Sequence, residues 1–432
     1  MEIERTPYLQ RLEKLRENGR IKAITGIRGC GKTTLLFKQF KRRLMDGGVA
    51  GGQFIELALD DDANARYRNP FELNKYVRQR LKGAPGMHYV LIDEILMVEA
   101  VPNPYLSTPG PWITFVDVLL GLMKLPNADV YVTGSLSRML SSDVPTIFRD
   151  RADNVQVFPL SYAEFSRACG LSRDEAWARY LAYGGMPGLL GLDGHEARSA
   201  RVSSLLKSIL QHEVIERNKI RGGMAELEAL LAILSSSIGS LANPSRLAAT
   251  LEKDLCKGIG PQTVAKYLSC LAGAFVIGQA RRYDIKHRKH LHTPLKFYFA
   301  DAGLASALAG ACRVEPAKAM ENVIFNYLVA SGCEVDTGVL EYNCKDELGR
   351  SMRRQLPIDF VARCGFRRIY IQSAWSLEDA EAVKQKAASL RRVPDSFKKV
   401  VLANGIIRPW VGEDGIEFWP ARDFLLQDRI AF

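Results

Sequence analysis

The sequence lacks the features that mark several special classes of protein. No apolar run approaches the ~20 residues of a membrane-spanning helix, and the charged start lacks the apolar core of a signal peptide. The eight cysteines form no CxxC pair, so neither a zinc site nor a redox motif is visible. No repeat or low-complexity tract is apparent. We therefore expect a cytoplasmic protein with no membrane partner and no disulfide framework.

The composition is typical of a soluble globular protein with sizeable cores. Of the 432 residues, 47% are hydrophobic and 25% are charged, and this length suggests about two to four domains. The net charge of +11 favours acidic partners, with nucleic acid first. A basic but solvated surface would carry the same charge, so charge alone does not separate the two interpretations.

Short apolar segments alternate with stretches of helical pattern in the N-terminal part. The segments predicted to be strands are 21–25, 54–58, 88–93 and 129–133, and a helix is expected from about Lys32. This alternation predicts an α/β fold whose parallel sheet is covered by helices. Ligands of such sheets bind at the carboxyl ends of the strands. The four prolines of 101–112 predict a loop after the third strand.

The segment ITGIRGCGKTTLL runs from residue 24 to residue 36, and its part 26–33, directly after the first strand, fits the pattern GxxxxGK[ST]. Glycines let backbone N–H groups close around a phosphate, and the following helix adds the positive end of its dipole. The lysine is expected to reach the β- and γ-phosphates, and the threonine hydroxyl to bind Mg²⁺. The residues predicted to bind the nucleotide are Gly26, Gly29, Gly31, Lys32, Thr33 and Thr34.

Polar residues also end the third and fourth strands. Asp93 and Glu94 follow the apolar segment YVLI, where the first carboxylate suits Mg²⁺ and the second suits polarising the attacking water. The fourth strand ends in Thr133, Gly134 and Ser135. A polar side chain at this neighbouring strand end is expected to hold the water or read the γ-phosphate, and Ser135 is the residue predicted for this role.

A phosphoryl-transfer site usually needs extra positive charge in the transition state, supplied by the same chain or by a neighbour. The segment FRDRAD offers Arg149 and Arg151, and Arg151 is the predicted catalytic arginine. An ordinary surface arginine is the alternative. The residues predicted to be catalytic are thus Lys32, Glu94, Ser135 and Arg151, with Thr33 and Asp93 at the metal.

These residues belong to a longer series of motifs in which the chain resembles a bacterial and archaeal family of AAA+ superfamily ATPases. The motifs, in family order, are IKAITGIRGCGKTTLL, YVLIDEI, DVYVTGSLSRMLSSD, FPLSYAEF, YGGMPG, RRYDIKHRK, KFYFADAGL, MENVIFNYL and FRRIYIQSA. The resemblance implies an ATP-binding AAA+ core at 1–203 with a small helical lid. It also implies a winged-helix domain at 204–311 and a restriction-endonuclease-like domain at 312–432. ATP and Mg²⁺ are the cofactors it implies.

The chain departs from the family pattern at several positions. Leu96 stands where family members often have Gln, and Leu136 where they often have Asn; both changes bear on how the γ-phosphate is sensed. Asp150 replaces a glycine between the two arginines and places an acid beside Arg151.

The middle region carries a basic segment at 281–292 that reads as a two-stranded ribbon after a helix-turn-helix. Its basic residues are those that a wing reaching toward DNA phosphates would carry, although a solvated hairpin or a docking surface for the ATPase core would have the same composition. The cationic and histidine residues are Arg281, Arg282, Lys286, His287, Arg288, Lys289 and His290. The second helix leaves Gln262, Thr263 and Lys266 free to touch DNA.

Nucleases of the implied C-terminal fold hold Mg²⁺ with carboxylates and place a lysine beside the attacked phosphate. Here Glu321, Asp359 and Gln372 match the ligand positions, but Ala374 replaces the lysine. Lys384 and Lys386 are candidate substitutes. We expect a nuclease-like fold used for packing or binding, without metal-dependent cleavage.

Three functions stay open on this basis. The first is an ATPase whose nucleotide state controls contact of the winged-helix and C-terminal domains with double-stranded DNA. The second is a slow nucleotide-dependent switch or scaffold that binds a protein partner. The third is an ATP-gated metal-dependent nuclease, which the missing lysine disfavours. A homo-oligomer is compatible with each of the three.

Overall fold

The computed structural model describes residues 3–106, 112–135, 148, 150–220, 223–255, 258–308, 314–345, 351–377, 379–427 and 430. The chain divides into two compact units. The first comprises Met1–Phe158 with Gly273–Phe275, and the second comprises Pro159–Ala272 with Val276–Phe432. No helix in the described ranges is long and apolar enough to cross a membrane.

The first unit is built on a parallel five-stranded sheet of order β2-β3-β6-β1-β7. All four strands predicted from the sequence are confirmed. Every residue of β1 and of β3 is buried, as expected for strands covered on both faces. The strands are β1 Ile21–Thr25, β2 Phe54–Ala58, β3 His88–Asp93, β6 Ala128–Gly134 and β7 Ala152–Gln156, with β4 Val101–Pro102 and β5 Trp112–Ile113 as a separate antiparallel pair.

Helices pack on this sheet and bury its apolar residues, for example Leu73, Val77 and Leu119 against Val90 and Val130. The helix predicted from Lys32 is confirmed, but its middle part is π-helical over Leu35–Phe40. The longer helices of this unit are Thr6–Leu15, Pro70–Leu81 and Phe115–Leu122, and Lys32–Thr34, Leu35–Phe40 and Lys41–Asp46 form one continuous helical stretch. Short 3₁₀ turns lie at Gly51–Gln53, Asp62–Arg68 and Ile95–Met97.

The second unit contains a mixed nine-stranded sheet of order β15-β16-β14-β13-β12-β11-β9-β10-β8. The hairpin of β9 and β10 corresponds to the predicted basic ribbon, and β9 pairs in parallel with β11. The ribbon is therefore continuous with the C-terminal strands in one sheet. The strands are β8 Leu241–Ala242, β9 Ile277–Asp284, β10 Lys289–Phe299, β11 Glu334–Lys345, β12 Ser351–Cys364, β13 Arg367–Ala374, β14 Lys398–Ala403, β15 Trp410–Val411 and β16 Glu417–Pro420.

The stretch 159–203, which the sequence analysis included in the ATPase core, lies in the second unit. A buried carboxylate explains part of this grouping, because Asp301 accepts hydrogen bonds from the backbone N–H groups of Gly185 at 2.6 Å and Gly303 at 2.9 Å. The three-domain division and the winged-helix and endonuclease-like assignments stay predictions. The longer helices of this unit are Arg173–Tyr183, His195–Ser208, Met224–Ser236, Pro244–Leu255, Pro261–Gly273, Pro316–Ala330 and Ala380–Arg391. Ile209–Glu216 is π-helical, Pro187–Leu189 is a 3₁₀ turn, and shorter helices are Tyr162–Ala168, Ala302–Leu308 and Ala421–Leu425.

One expectation about the cysteines is corrected. Cys333 and Cys364 form a disulfide, with their Cα atoms 4.5 Å apart. The antiparallel register of β11 and β12 pairs Glu334 with Arg363 and so places the two flanking cysteines opposite each other. Sequence spacing alone does not reveal this pairing. Among the described residues, no group of three or more His, Cys, Asp or Glu side chains could hold a metal ion.

Candidate nucleotide site

The phosphate loop lies between the carboxyl end of β1 and the helical stretch that starts at Lys32. Gly26 has φ of 147°, and a Cβ at this position would overlap the backbone carbonyl oxygen of Val157. Gly31 has φ of 100°, in the region that favours glycine. Both glycines are therefore required by the close approach and the turn of the backbone. Gly29, with φ of 84°, is exposed in the same loop.

Lys32 is buried and its ammonium points into the loop. Its Nζ donates to the carbonyl oxygens of Gly26 at 3.0 Å and Ile27 at 3.2 Å. An ammonium has three N–H donors, so two carbonyl bonds hold the lysine in the loop and leave a third donor for a phosphate oxygen. The role of Lys32 in binding the β- and γ-phosphates stays a prediction.

The acidic end of β3 meets the loop through threonine hydroxyls. Thr33 Oγ1 donates to Asp93 Oδ2 at 2.8 Å, and Thr133 Oγ1 donates to the other carboxylate oxygen of Asp93. The Thr133 hydroxyl also accepts the backbone N–H of Glu94 at 3.0 Å. Asp93 and Thr133 are buried, whereas Thr33 is exposed. One hydroxyl, at the end of β6, thus links both acidic residues.

Glu94 has a left-handed backbone, with φ of 51° and ψ of 49°. This conformation is uncommon for a residue with a long side chain, and such residues cluster at functional sites when the surroundings hold them in place. The hydrogen bond to Thr133 is part of that restraint. The half-buried side chain follows β3 directly, at the edge of the sheet that carries the loop.

The oxygens of Thr33 and Asp93 suit Mg²⁺, which prefers hard oxygen ligands from few protein groups together with phosphates and water. A hydroxyl and a carboxylate 2.8 Å apart beside a glycine loop form the ligand set that a Mg²⁺–nucleotide complex uses in P-loop proteins. The residues present therefore fit both a nucleotide and its metal ion.

Comparison with known families agrees with this geometry. Residues 18–166 match the family model of an AAA domain. The N-terminal part of the chain therefore contains an AAA domain. Residues 174–314 match the family model of a domain of unknown function, which begins after the AAA domain and extends past the basic ribbon.

Two relatives that match most of the chain are uncharacterised proteins. The chain is 27% identical over 430 residues to an uncharacterised protein of Haemophilus influenzae, covering 98% of this chain and 99% of that protein. It is 22% identical over 392 residues to an uncharacterised protein of Methanocaldococcus jannaschii, covering 87% of this chain and 79% of that protein.

Two solved structures resemble the chain at low similarity. A Walker-type ATPase of Pyrococcus abyssi is 16% identical, with 71% of this chain and 96% of that chain covered and a TM-score of 0.46. The ORC1 protein of Aeropyrum pernix, solved in complex with DNA, is 14% identical, with 72% and 93% covered and a TM-score of 0.30.

The other residues predicted for the AAA site lie at different distances from the loop. Thr34 is exposed in the first helical turn after Lys32, and Ser135 is buried just after β6. Ser135 is thus at the same end of the sheet as Asp93, and its predicted catalytic role stays a prediction. Leu136 and Arg149 fall outside the described residues.

Arg151 lies at the opposite end of the sheet. It is exposed and directly precedes β7, and its carbonyl oxygen accepts the N–H of Ile21, the first residue of β1. The phosphate loop starts after Thr25, four residue steps along β1, which is about 13 Å at ~3.3 Å per residue. The structure therefore does not bring Arg151 to the nucleotide site of its own chain.

Arg5 is a contact to the phosphate loop that the sequence analysis missed. This buried residue donates to the carbonyl oxygens of Cys30 at 3.2 Å and Phe158 at 2.8 Å, and its guanidinium lies over the ring of Tyr8. Cys30 belongs to the phosphate loop, so Arg5 ties the loop to the N-terminal segment. No local motif marks this arginine, because its partners lie 25 and 153 residues away.

The basic ribbon divides into an engaged base and an exposed tip. At the base, Arg281 and His290 contact the buried carboxylate of Asp336 at 3.7 and 2.8 Å, and Arg282 donates to Gln355 at 3.1 Å. The exposed residues at and beside the turn are Lys286, His287, Arg288 and Lys289. Gln262, Thr263 and Lys266, expected to be free on the preceding helix, are also exposed.

Proposed function

We propose that the chain is a Mg²⁺-dependent ATPase whose nucleotide state controls contact of the second unit with double-stranded DNA. The observation that carries the ATPase part is the convergence of Thr33 and Thr133 on Asp93 beside the phosphate loop. Lys32 would bind the β- and γ-phosphates, and Thr33 with Asp93 would hold Mg²⁺, which neutralises phosphate charge. Glu94 would accept a proton from the attacking water.

A series of contacts between the phosphate loop and residues 157 and 158 supports control of the second unit by the bound nucleotide. Cys30 Sγ contacts the carbonyl oxygen of Val157 at 3.4 Å, and Gly26 packs against the same carbonyl. Arg5 contacts the next residue, Phe158. Phe158 is the last residue of the first unit before Pro159 begins the second. A nucleotide-dependent change in the loop would therefore act on the segment that connects the two units.

The exposed tip of the basic ribbon supports the DNA part. Lys286, Arg288 and Lys289 are exposed within four residues, and duplex DNA binding is dominated by neutralised phosphates. Arg282, by contrast, donates to Gln355 at 3.1 Å, and Arg281, although its side chain is 56% exposed, lies 3.7 Å from the carboxylate of Asp336. We therefore assign the phosphate contacts to the tip and not to the whole ribbon.

The second candidate is a nucleotide switch that binds a protein partner. The contacts at the base of the basic ribbon favour it. If Arg281, Arg282 and His290 serve to build the sheet, then much of the predicted ribbon charge has a structural explanation. ATP hydrolysis measured with and without duplex DNA separates the two functions. Stimulation by DNA supports the first function, and its absence supports the second.

The ATPase assay needs two variants. Lys32→Ala is expected to abolish ATP binding or hydrolysis, because the phosphates lose their main cation. Lys38→Ala, an exposed lysine on the same helical stretch, is the matched control and should hydrolyse ATP at the wild-type rate. Wild-type hydrolysis by Lys32→Ala would remove this loop from the mechanism.

The DNA assay measures affinity for a duplex at several salt concentrations. Changing the tip lysines and arginine to alanine should weaken binding and flatten the dependence of log affinity on log salt, by up to about 0.9 for each phosphate that the protein no longer neutralises. An equal loss of charge from Lys14, Lys38 and Lys82, three exposed lysines of the first unit, is the control. Equal effects of the two sets would indicate non-specific attraction and not a binding tip.

A further inference from the structure

A buried ion cluster lies where the sequence analysis placed a nuclease-like metal site. Glu321 comes from the helix Pro316–Ala330, Asp359 from β12 and Gln372 from β13. The structure brings these three residues together and adds Lys296 from β10. Lys296 Nζ lies 3.2 Å from Glu321 Oε1 and 3.4 Å from Asp359 Oδ1. The lysine side chain is 7% exposed, against 16% and 17% for the two acids.

The oxygens that face the cluster already accept hydrogen bonds. Glu321 Oε1 accepts the Tyr298 hydroxyl at 2.8 Å as well as the ammonium. Asp359 Oδ2 accepts the backbone N–H of Ser373 at 3.0 Å, and Gln372 Oε1 accepts the backbone N–H of Asp359 at 3.0 Å. A divalent ion needs oxygen lone pairs at roughly 2.0–2.6 Å. Here an ammonium already lies between the two carboxylates, and its positive charge would repel a divalent cation at the same place.

The far side of Glu321 is covered by backbone. Gly239, which follows the helix Met224–Ser236, has φ of 74°, and a Cβ there would overlap both carboxylate oxygens of Glu321. A residue with a side chain does not fit at this position. The loop at Gly239 therefore packs directly on the carboxylate and restricts access to it.

The charge states of Lys296 and of the two carboxylates depend on one another. Burial alone would lower the pKa of Lys296, but the two carboxylates outweigh burial and raise that pKa above its usual value. Burial raises the pKa of Glu321, repulsion from Asp359 raises it further, and Lys296 opposes both effects. Breaking a buried ion cluster by removing one partner is costly, because the remaining charge is left uncompensated.

We propose that the ammonium of Lys296 is the resident cation of the Glu321–Asp359 pair and closes this site to divalent metal ions in the intact protein. The residues do not fit the metal that a nuclease-like fold implies. They form a metal-free cluster that joins β10, the second strand of the basic ribbon, to β12 and to the helix Pro316–Ala330. Lys386, a candidate substitute for the missing nuclease lysine, donates from its Nζ to the carbonyl oxygen of Ser373.

The full chain is required for the test. A fragment starting near residue 312 would lack Lys296 and the strands β9 and β10 of the same sheet. It would expose the acids artificially and give no information on the intact cluster.

Binding of Mn²⁺ to the nucleotide-free chain, measured by electron paramagnetic resonance, tests the proposal. All proteins carry Asp93→Asn, so that the AAA site contributes little. With Lys296 present, no Mn²⁺ binding should depend on Asp359. Lys296→Met should gain one site with at least tenfold tighter Mn²⁺ binding, which a second change, Asp359→Asn, removes. Mn²⁺ should also raise the Tm of Lys296→Met.

Lys22→Met is the matched control. Lys22 is another buried lysine, paired with the buried Asp129, and its removal leaves a single carboxylate of that pair. This variant should be destabilised but should gain no Mn²⁺ site. Equal Mn²⁺ binding by the two methionine variants would contradict a specific role of the Glu321–Asp359 pair.

Two results would overturn the proposal outright. One is Asp359-dependent Mn²⁺ binding in the protein that retains Lys296, and the other is a folded Lys296→Met protein without such a site. If Lys296→Met does not fold, the triple variant Lys296→Met, Glu321→Gln and Asp359→Asn tests the proposal instead. It removes the two carboxylate charges that the single variant leaves uncompensated. Recovery of folding supports the resident cation, and continued misfolding refutes it.

Discussion

Replacing Thr133 by valine removes one hydroxyl from the acidic end of β3 and keeps almost the same side-chain volume. Thr133 is fully buried, and its Oγ1 donates to Asp93 and accepts the N–H of Glu94 at 3.0 Å. Valine makes neither bond. We therefore expect a folded protein in which Asp93 and Glu94 are less well positioned for hydrolysis.

The size of the effect follows from the charge of the lost partner. A hydrogen bond to a charged group contributes about 1.5–3 kcal/mol, against about 0.5–1.5 kcal/mol for a neutral pair. At about 1.36 kcal/mol for each factor of ten, the bond to Asp93 sets an upper limit of roughly 10- to 150-fold. The loss should appear mainly in kcat, because ATP is bound chiefly through the loop and Lys32.

Steady-state ATP hydrolysis and the affinity for a fluorescent ATP analogue measure the two parts separately. Thr337→Val is the matched control, since Thr337 is also buried and donates to the carbonyl oxygen of Ile358 at 3.2 Å, in the second unit. It should leave hydrolysis unchanged. Thr133→Ser, which restores a hydroxyl, should recover most of the rate. A wild-type kcat for Thr133→Val would refute the positioning role of this hydroxyl.

Two further predictions concern single carboxylates. Glu94→Gln should bind ATP like the wild type but hydrolyse it slowly, because an amide polarises water poorly; a normal turnover rate would remove Glu94 from that role. Burial raises the pKa of Asp301 to about 6, although backbone N–H groups oppose the shift. The folded state thus favours the protonated acid. The stability that Asp301 contributes is therefore fully present below pH ~4 and declines as the pH rises to about 6. The decline in the free energy of unfolding is on the order of 3 kcal/mol. The unfolding free energy of the wild type minus that of Asp301→Asn should fall across this window, and a flat difference would contradict the shift.

The sequence was sufficient for the parts of the AAA domain that depend on local pattern. The strands β1, β2 and β3 occupy the residues predicted for them, because each is a short and largely apolar run. All residues of β1 and β3 are buried, and Glu56 is the exposed residue of β2. The phosphate loop is equally local: its glycines, lysine and threonine are adjacent in the chain, and their spacing alone dictates a turn between a strand and a helix.

The contacts that the sequence did not reveal join residues far apart in the chain. Thr133 lies 40 residues from Asp93, and Lys296 lies 63 residues from Asp359. The lysine expected beside the C-terminal acids was sought two residues after Gln372, and the structure supplies one from another strand of the sheet. Such partners depend on strand order, which hydrophobic pattern does not specify. The pairing of Cys333 with Cys364 was missed for the same reason.

The position of Arg151 leads to a prediction about assembly. Its place beside Ile21, about 13 Å along β1 from the phosphate loop, excludes direct contact with the nucleotide of the same chain through this arrangement. If Arg151 is catalytic, it must act on a neighbouring copy.

Arg151→Ala retains its phosphate loop, and Lys32→Ala retains its arginine. A mixture of the two inactive proteins should then regain ATP hydrolysis, because some interfaces combine an intact loop with an intact arginine. Arg20→Ala, which removes a half-buried partner of Asp150 and Asp153 near the same strand end, controls for local disturbance and should keep hydrolysis by itself. Wild-type hydrolysis by Arg151→Ala alone would make Arg151 an ordinary surface residue, and two inactive variants that fail to complement each other would refute its action on a neighbour.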